Sequence, residues 1–295
     1  MWGVPVKKAY LMAAVTVFFW GTSAPVCKVL LNDLTNMEVL FFASVFASLS
    51  LLAIILKRGQ AKELTAYTPK EFGYMCLLGF TGYFLYSAFY YQGVNFLDAQ
   101  IACIVNYLWP ILTVCFACII LKEKFSGAKF AALLLSFAGV IVVMLHPGQT
   151  FEGGQMKGYL YCIAAAALYG LFCNLNKKQG GSQLIHMFWY HTLSAVCSLV
   201  CTLWGGGLPR VTGGQVLGFL WLGVFINAIG YLLWALALQD SSAAAISNFA
   251  YGTPAIAMIL SCVFLGEPMY FTSVIGLALI LIGFFLQMYL TKRNP

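Results

Sequence analysis

Asn106-Tyr107-Leu108-Trp109-Pro110 leads through an apolar segment to Leu121-Lys122-Glu123, and Ala250-Tyr251-Gly252-Thr253-Pro254 leads through another to Leu265-Gly266-Glu267. Tyr107, Pro110 and Glu123 meet Tyr251, Pro254 and Glu267 at one constant offset of 144 residues, which also carries Gly139 onto Gly283. Further upstream, Trp20-Gly21 and Lys28 meet Tyr169-Gly170 and Lys177 at an offset of 149, the shift that a longer loop in the first half produces. Each match is weak alone, but their order argues for two halves built alike, 1–147 and 148–295.

The solvent follows from composition. Of 295 residues, 62% are hydrophobic and only 8% charged, against about 25% charged in a soluble domain. A bilayer span needs about 20 mostly apolar residues. Ten runs qualify: 9–31, 37–56, 72–93, 98–121, 127–145, 157–177, 184–204, 215–238, 242–265 and 270–290. They read as helices, because the short alternating segments of barrel strands are absent. The expected fold is therefore an all-α membrane protein of ten transmembrane helices. Lys7 and Lys8 precede a full-length first run with no small-residue cleavage site, so that run reads as a true span rather than a signal peptide.

The net charge of +7 does not point to nucleic acid, because the basic residues sit at span ends. Lys/Arg excess marks cytoplasmic loops. With the N-terminus inside, thirteen of the 16 Lys and Arg residues fall on the inner side, and only Lys28, Lys157 and Arg210 on the outer. Ten spans return the C-terminus to the cytoplasmic side of the cell membrane. Each half holds five spans, and an odd number inserts the second half upside down relative to the first. Inverted five-helix repeats are a recurring plan of transporters, with substrate held near the midplane between the halves.

Polar residues inside spans are unfavourable without partners, so Asn106, Asn174, Asn176, Asn227 and Asn248 are informative. Singly they serve equally well as hydrogen bonds between helices; as a set they point to a wet central cavity. Trp20, Tyr83, Tyr86, Tyr90, Tyr231, Trp234 and Tyr251 are the candidate aromatic lining, the alternative being anchorage at the membrane interface. Lys28 either attracts a substrate carboxylate or snorkels outward or pairs with Asp33 or Glu38. His191 is the candidate proton carrier, or a neutral partner for a neighbouring helix. Pro110 and Pro254 are expected to kink spans 4 and 9. Small residues around Gly139, Gly276 and Gly283 mark spans 5 and 10 as packing helices. The ten cysteines lie in or beside spans and read as small apolar residues, Cys115 and Cys118 included. Glu123 and Glu267 read as structural contacts to backbone groups rather than as chemistry.

No carboxylate lies in mid-membrane, which favours uniport or exchange over ion-driven transport. Neither paired carboxylates, nor a His-rich metal set, nor a Ser/His/Asp arrangement at the membrane surface supports an enzyme. No cofactor and no metal is expected.

Ten spans, a five-plus-five repeat, Trp20-Gly21 in the first helix, and a proline followed by a terminal glutamate in helices 4 and 9 resemble the drug/metabolite transporter superfamily, in its ten-helix EamA-type branch. The resemblance implies that helices 1–4 and 6–9 surround a central cavity while helices 5 and 10 pack at the ends. It also implies kinship with exporters of amino acids, aromatic ones among them. Many relatives carry an arginine in helix 2 after an aromatic pair; Phe41-Phe42-Ala43-Ser44 has none. The expected function is a monomeric secondary transporter of small organic metabolites, with the lipid bilayer and a small-molecule substrate as its only partners. Amino acids or similar zwitterions are the leading substrates. A quaternary ammonium or drug-like cation in an aromatic cage is the alternative.

Overall fold

Three helices open with the same local device. Thr35, Thr68 and Thr212 each accept a hydrogen bond from the backbone N–H three residues on, and the side-chain oxygens of Glu38, Glu71 and Gln215 accept one from the threonine backbone N–H. These capping boxes satisfy first-turn N–H groups that have no partner within the helix. The computed structural model describes residues 6–120, 122, 127–147, 153–176, 179–239, 249–250 and 252–293. Among them every regular element is helical.

Span 1 consists of α1 (Val6–Gly21) and α2 (Ser23–Leu30), and span 2 is α3 (Asn36–Lys57). Span 3 runs through α4 (Pro69–Gly79), a π-helical segment (Phe80–Leu85) and α5 (Tyr86–Phe96). Span 4 is broken into α6 (Ala99–Asn106) and α7 (Trp109–Ile120), and α8 (Gly127–Met144) follows. The later chain gives α9 (Gly153–Asn176) and α10 (Gln183–Trp204), then α11 (Gly213–Leu220), a second π-helical segment (Trp221–Gly230) and α12 (Tyr231–Gln239). The last two helices are α13 (Gly252–Leu265) and α14 (Phe271–Arg293). Among the described residues seven helical stretches are long and apolar enough to cross a membrane, and Leu133–Met144, Gly252–Leu265 and Phe271–Gly283 are shorter apolar helices. The shorter three fall on the expected runs 127–145, 242–265 and 270–290.

The expected proline kinks take a different form. In span 4 the helix stops at Asn106, turns through Tyr107 and Leu108, and restarts at Trp109. Pro110 lies in the first turn of α7 and Pro254 in the first turn of α13. A proline there gives up an N–H that lacks a helical acceptor anyway, so it starts a half-helix instead of bending a continuous one.

Packing pairs distant parts of the chain. α3 lies along α10, and α8 along α14; α9 packs on α5 and α7, and α1 on α12 and α13. The α8–α14 contact depends on two glycines. A Cβ on Gly139 would stand 2.6 Å from the Gly276 carbonyl oxygen, and one on Gly276 would stand 2.6 Å from the Gly139 oxygen. Backbones this close admit no side chain. Gly139→Val should therefore destabilise the protein by about 1–3 kcal/mol, the usual cost of overpacking. Thermal unfolding of the purified variant measures it, and an unchanged midpoint would show that the two helices do not meet at these glycines.

Candidate functional site

A cavity of about 180 Å³ lies where the interrupted spans come together. Span 1 supplies Trp20 and Ser23, and span 3 supplies Tyr86, Ser87, Tyr90 and Tyr91. The broken span 4 contributes Cys103, Asn106, Tyr107 and Trp109, and α9 contributes Tyr169. Ile226, Asn227, Tyr231 and Trp234 come from the second π-helical stretch and α12, while Ala250 and Thr253 stand at the start of α13. None of these lining residues is charged. Spans 2 and 7 contribute none of them; they hold one another through Ser44 Oγ donating to Ser194 Oγ at 3.1 Å and Thr192 Oγ1 donating to Ser48 Oγ at 3.3 Å.

Local backbone irregularity aims these side chains. A π-helical turn adds a residue to the turn and so rotates everything downstream by roughly 100° relative to an unbroken α-helix. Tyr86 and Tyr90 follow directly on the first π-helical segment; Asn227 lies within the second and Tyr231 directly after it. Trp221 Nε1 donates to Thr22 Oγ1 at 2.7 Å, and Thr16 Oγ1 donates to the Gly230 carbonyl at 3.1 Å. Span 1 is thereby tied to the second π-helical segment on either side of Trp20. Gly21 lets the same span press on α13, since a Cβ there would meet Ile256 Cβ at 2.7 Å.

The aromatic wall is assembled from rings that support one another. Trp20 lies 5.1 Å from both Tyr231 and Trp234, centroid to centroid. Tyr86 stacks on Tyr90 at 6.0 Å and meets Tyr169 at 4.9 Å, and Trp109 meets Tyr169 edge-on at 5.2 Å. Asn106 Nδ2 donates to the Tyr86 hydroxyl at 3.3 Å. Three polar atoms in this wall have no hydrogen-bond partner among the described residues: Asn106 Oδ1, Trp20 Nε1 and Thr253 Oγ1. The Tyr107 hydroxyl donates to the Ala250 carbonyl, joining the break in span 4 to the start of α13.

Of the sequence candidates, Trp20, Tyr86, Tyr90, Asn106, Asn227, Tyr231 and Trp234 come together here. Asn248 and Tyr251 lie outside the described residues, as does Glu123. Five candidates are placed elsewhere. Asn176 is not in the cavity wall; its Oδ1 accepts from the Tyr190 hydroxyl at 2.9 Å. Asn174 Nδ2 donates to the Thr113 carbonyl at 2.8 Å and the Gly170 carbonyl at 3.0 Å, so it joins α9 to α7. Tyr83 is buried behind the wall against His191, Tyr190 and Phe172, at 4.8, 5.1 and 5.4 Å. His191 is buried with it, edge-on to that ring. Lys28 neither points to the cavity nor pairs with Asp33 or Glu38. Its Nζ donates to the carbonyls of Val94, Asn95 and Leu97 at 2.9, 3.2 and 2.7 Å. The reason is local: the last carbonyls of α5 lack helical partners, and the negative end of the helix dipole attracts a cation.

Ser23, Ser87, Trp109 and Thr253 face the cavity without having been sequence candidates. Trp109 and Thr253 belong to the repeated stretch itself, each one residue before its proline, and that shared position was the available signal. For Ser23 and Ser87 there was none.

At the end of span 9, Glu267 binds the N-terminus of α6. Its Oε1 accepts from Ala99 N at 2.6 Å and its Oε2 from Gln100 N at 3.2 Å, while Gln100 Nε2 donates to the Pro268 carbonyl at 2.8 Å. This is the expected structural contact with backbone groups. Burial pushes the Glu267 carboxyl above the usual range, against the opposing pull of the Ala99 and Gln100 N–H groups and the Lys28 charge.

The EamA-like transporter family matches residues 7–145 and 156–289 of this chain. An uncharacterized transporter from Clostridium kluyveri is 26% identical, covering 94% of this chain and 92% of its own. A protein named as an aromatic amino acid exporter, from Ancylobacter novellus, is 24% identical over 62% of this chain and 64% of its own. A crystal structure at 21% identity superposes with a TM-score of 0.70, over 97% of this chain and 98% of that one, which shows a shared fold.

Proposed function

This chain belongs to the EamA-like transporter family, and we propose that it carries amino acids and similar zwitterions, aromatic ones included, through the cavity by alternating access. It is a multi-pass membrane transporter and not an enzyme. The observation that carries the substrate reading is the cavity wall: aromatic, polar and without a charged side chain. Such a wall accepts an apolar side chain and hydrogen-bonds a polar backbone, yet offers no counter-ion to hold a net charge. The name of the Ancylobacter relative supports the same class.

Alternating access rests on two inverted five-helix repeats, 1–147 and 148–295. The packing supports this reading. Span 1 packs on spans 8 and 9 as span 6 packs on spans 3 and 4, while spans 2 and 7, and 5 and 10, pair with each other. π-Helical segments occur in spans 3 and 8, which are equivalent under that repeat. Both termini are assigned to the cytoplasm by the basic residues at the inner span ends. Net flux is export or facilitated uniport.

A panel of amino acids and quaternary amines added to the purified protein tests the substrate class. A ligand at 100 times its Kd stabilises the folded state by about 2.7 kcal/mol. Phenylalanine, tyrosine and tryptophan should raise the unfolding temperature, and choline should not. Stabilisation by quaternary amines alone would replace this reading with a cation carrier using an aromatic cage.

A further inference from the structure

We infer that the cavity holds the two charges of an amino acid at two separate helix interruptions: its ammonium at Asn106, where α6 ends, and its carboxylate at Thr253, where α13 begins. The inference rests on the amino-acid reading above and assigns that substrate an orientation. Both residues line the cavity, and both are buried, with Asn106 6% and Thr253 4% exposed. Each presents an oxygen with no partner among the described residues, Asn106 Oδ1 and Thr253 Oγ1. A buried polar atom without a partner is unfavourable, so these two oxygens, with Trp20 Nε1 as the third such atom in the wall, mark points where a solute completes the hydrogen bonding.

The helix ends give the two points opposite character. Asn106 is the last residue of α6, at the negative end of that helix's dipole. Its Nδ2 is engaged by Tyr86, which leaves Oδ1 as an acceptor beside the Tyr86 ring. An ammonium meets both needs, donating to Oδ1 and lying against an aromatic face. Thr253 is the second residue of the 14-residue α13, whose first turn carries partial positive charge. Its hydroxyl donates to a carboxylate, and no cation in the wall competes for that anion. The hydrogen bond from Tyr107 to the Ala250 carbonyl holds the two interruptions together. A substrate lacking one charge leaves one point unsatisfied.

The test uses the full chain in liposomes and competes uptake of labelled L-phenylalanine with unlabelled phenylalanine, phenylethylamine and 3-phenylpropionate. In the wild type both analogues should compete at least about tenfold more weakly, the worth of one charge-assisted hydrogen bond. Thr253→Val should weaken phenylalanine about tenfold and leave phenylethylamine unchanged, with Thr253→Ser restoring the wild-type order. Asn106→Leu should do the reverse, weakening phenylalanine while sparing 3-phenylpropionate. The ratio between ligands is read within each variant, so altered protein levels do not affect it. If Thr253→Val loses uptake, the same ratios are read from ligand-induced thermal stabilisation. Equal loss for all three ligands, or no loss for any, overturns the two-point assignment while leaving amino-acid transport standing. A wild-type protein that neither binds nor carries phenylalanine or any other amino acid overturns the functional reading, and the assignment falls with it.

Discussion

Trp20→Ala should cost about 3–5 kcal/mol of stability and weaken binding of aromatic substrates by roughly a hundredfold or more. Trp20 fills the angle between Tyr231 and Trp234, 5.1 Å from each ring, and belongs to the cavity wall. Truncation leaves a void that the neighbours close only in part, because both are set by the π-helical segment just before them. Each lost ring contact adds about 0.5–1.5 kcal/mol beyond burial. The indole also sits one residue before Gly21, where span 1 passes α13, so collapse of the wall reaches the contact between these spans. Trp20→Phe keeps much of the ring and should retain most of the stability. Thermal unfolding and phenylalanine uptake of the two variants decide the matter. An alanine variant within a factor of two of wild type in uptake would remove Trp20 from the binding wall.

Glu267→Ala should open the seam between the end of span 9 and the turn joining spans 3 and 4, which faces outward in the proposed orientation. The carboxylate holds the first two N–H groups of α6, while Lys28 holds the last carbonyls of α5. The turn is thus gripped at both ends, once from each half of the chain. Hydrogen bonds to charged groups contribute about 1.5–3 kcal/mol, less where solvent reaches them. Losing these should raise modification of Ser23→Cys by an impermeant thiol reagent about tenfold, in a cysteine-free background. Glu267→Gln keeps an acceptor and should stay close to wild type.

The same seam should respond to pH. The Glu267 carboxyl is raised in the closed structure, so the closed state holds its proton more tightly than an open, solvated one does. The stabilisation this provides is complete below the carboxyl's ordinary value of 4.5 and is lost as pH rises through the raised one. Mild acidification outside should therefore slow labelling of the wild type, and Glu267→Gln should remove that dependence. Faster labelling in acid would reverse the sign and contradict a closed-state carboxyl raised by burial.

Much of the fold was legible because the bilayer imposes it. A chain with 8% charged residues has no water-soluble surface to build, and long apolar runs in lipid form helices to satisfy their own backbones. Gly139 and Gly276 were readable as packing positions because close backbone approach excludes a side chain, whatever the partner. Seven cavity candidates came together because uncompensated polarity and mid-span aromatics are both unusual in lipid.

Sequence alone, then, determined the membrane setting, the helical class and the repeated Tyr-Pro-Glu pattern, each of which depends on residue type and local order. Tertiary structure decided where individual side chains point. The π-helical segments of spans 3 and 8 leave no sequence signature, yet they set the rotation of every ring that follows. Asn106 and Asn174 are the same residue type in similar apolar runs. Asn106 lines the cavity, whereas Asn174 spends its amide nitrogen on the carbonyls of Thr113 and Gly170. Lys28 stood out as a charge in a span, and its role came from α5 ending 66 to 69 residues later in the chain. A polar side chain in lipid must find a partner, and which partner it finds depends on the helices that surround it rather than on its neighbours in sequence.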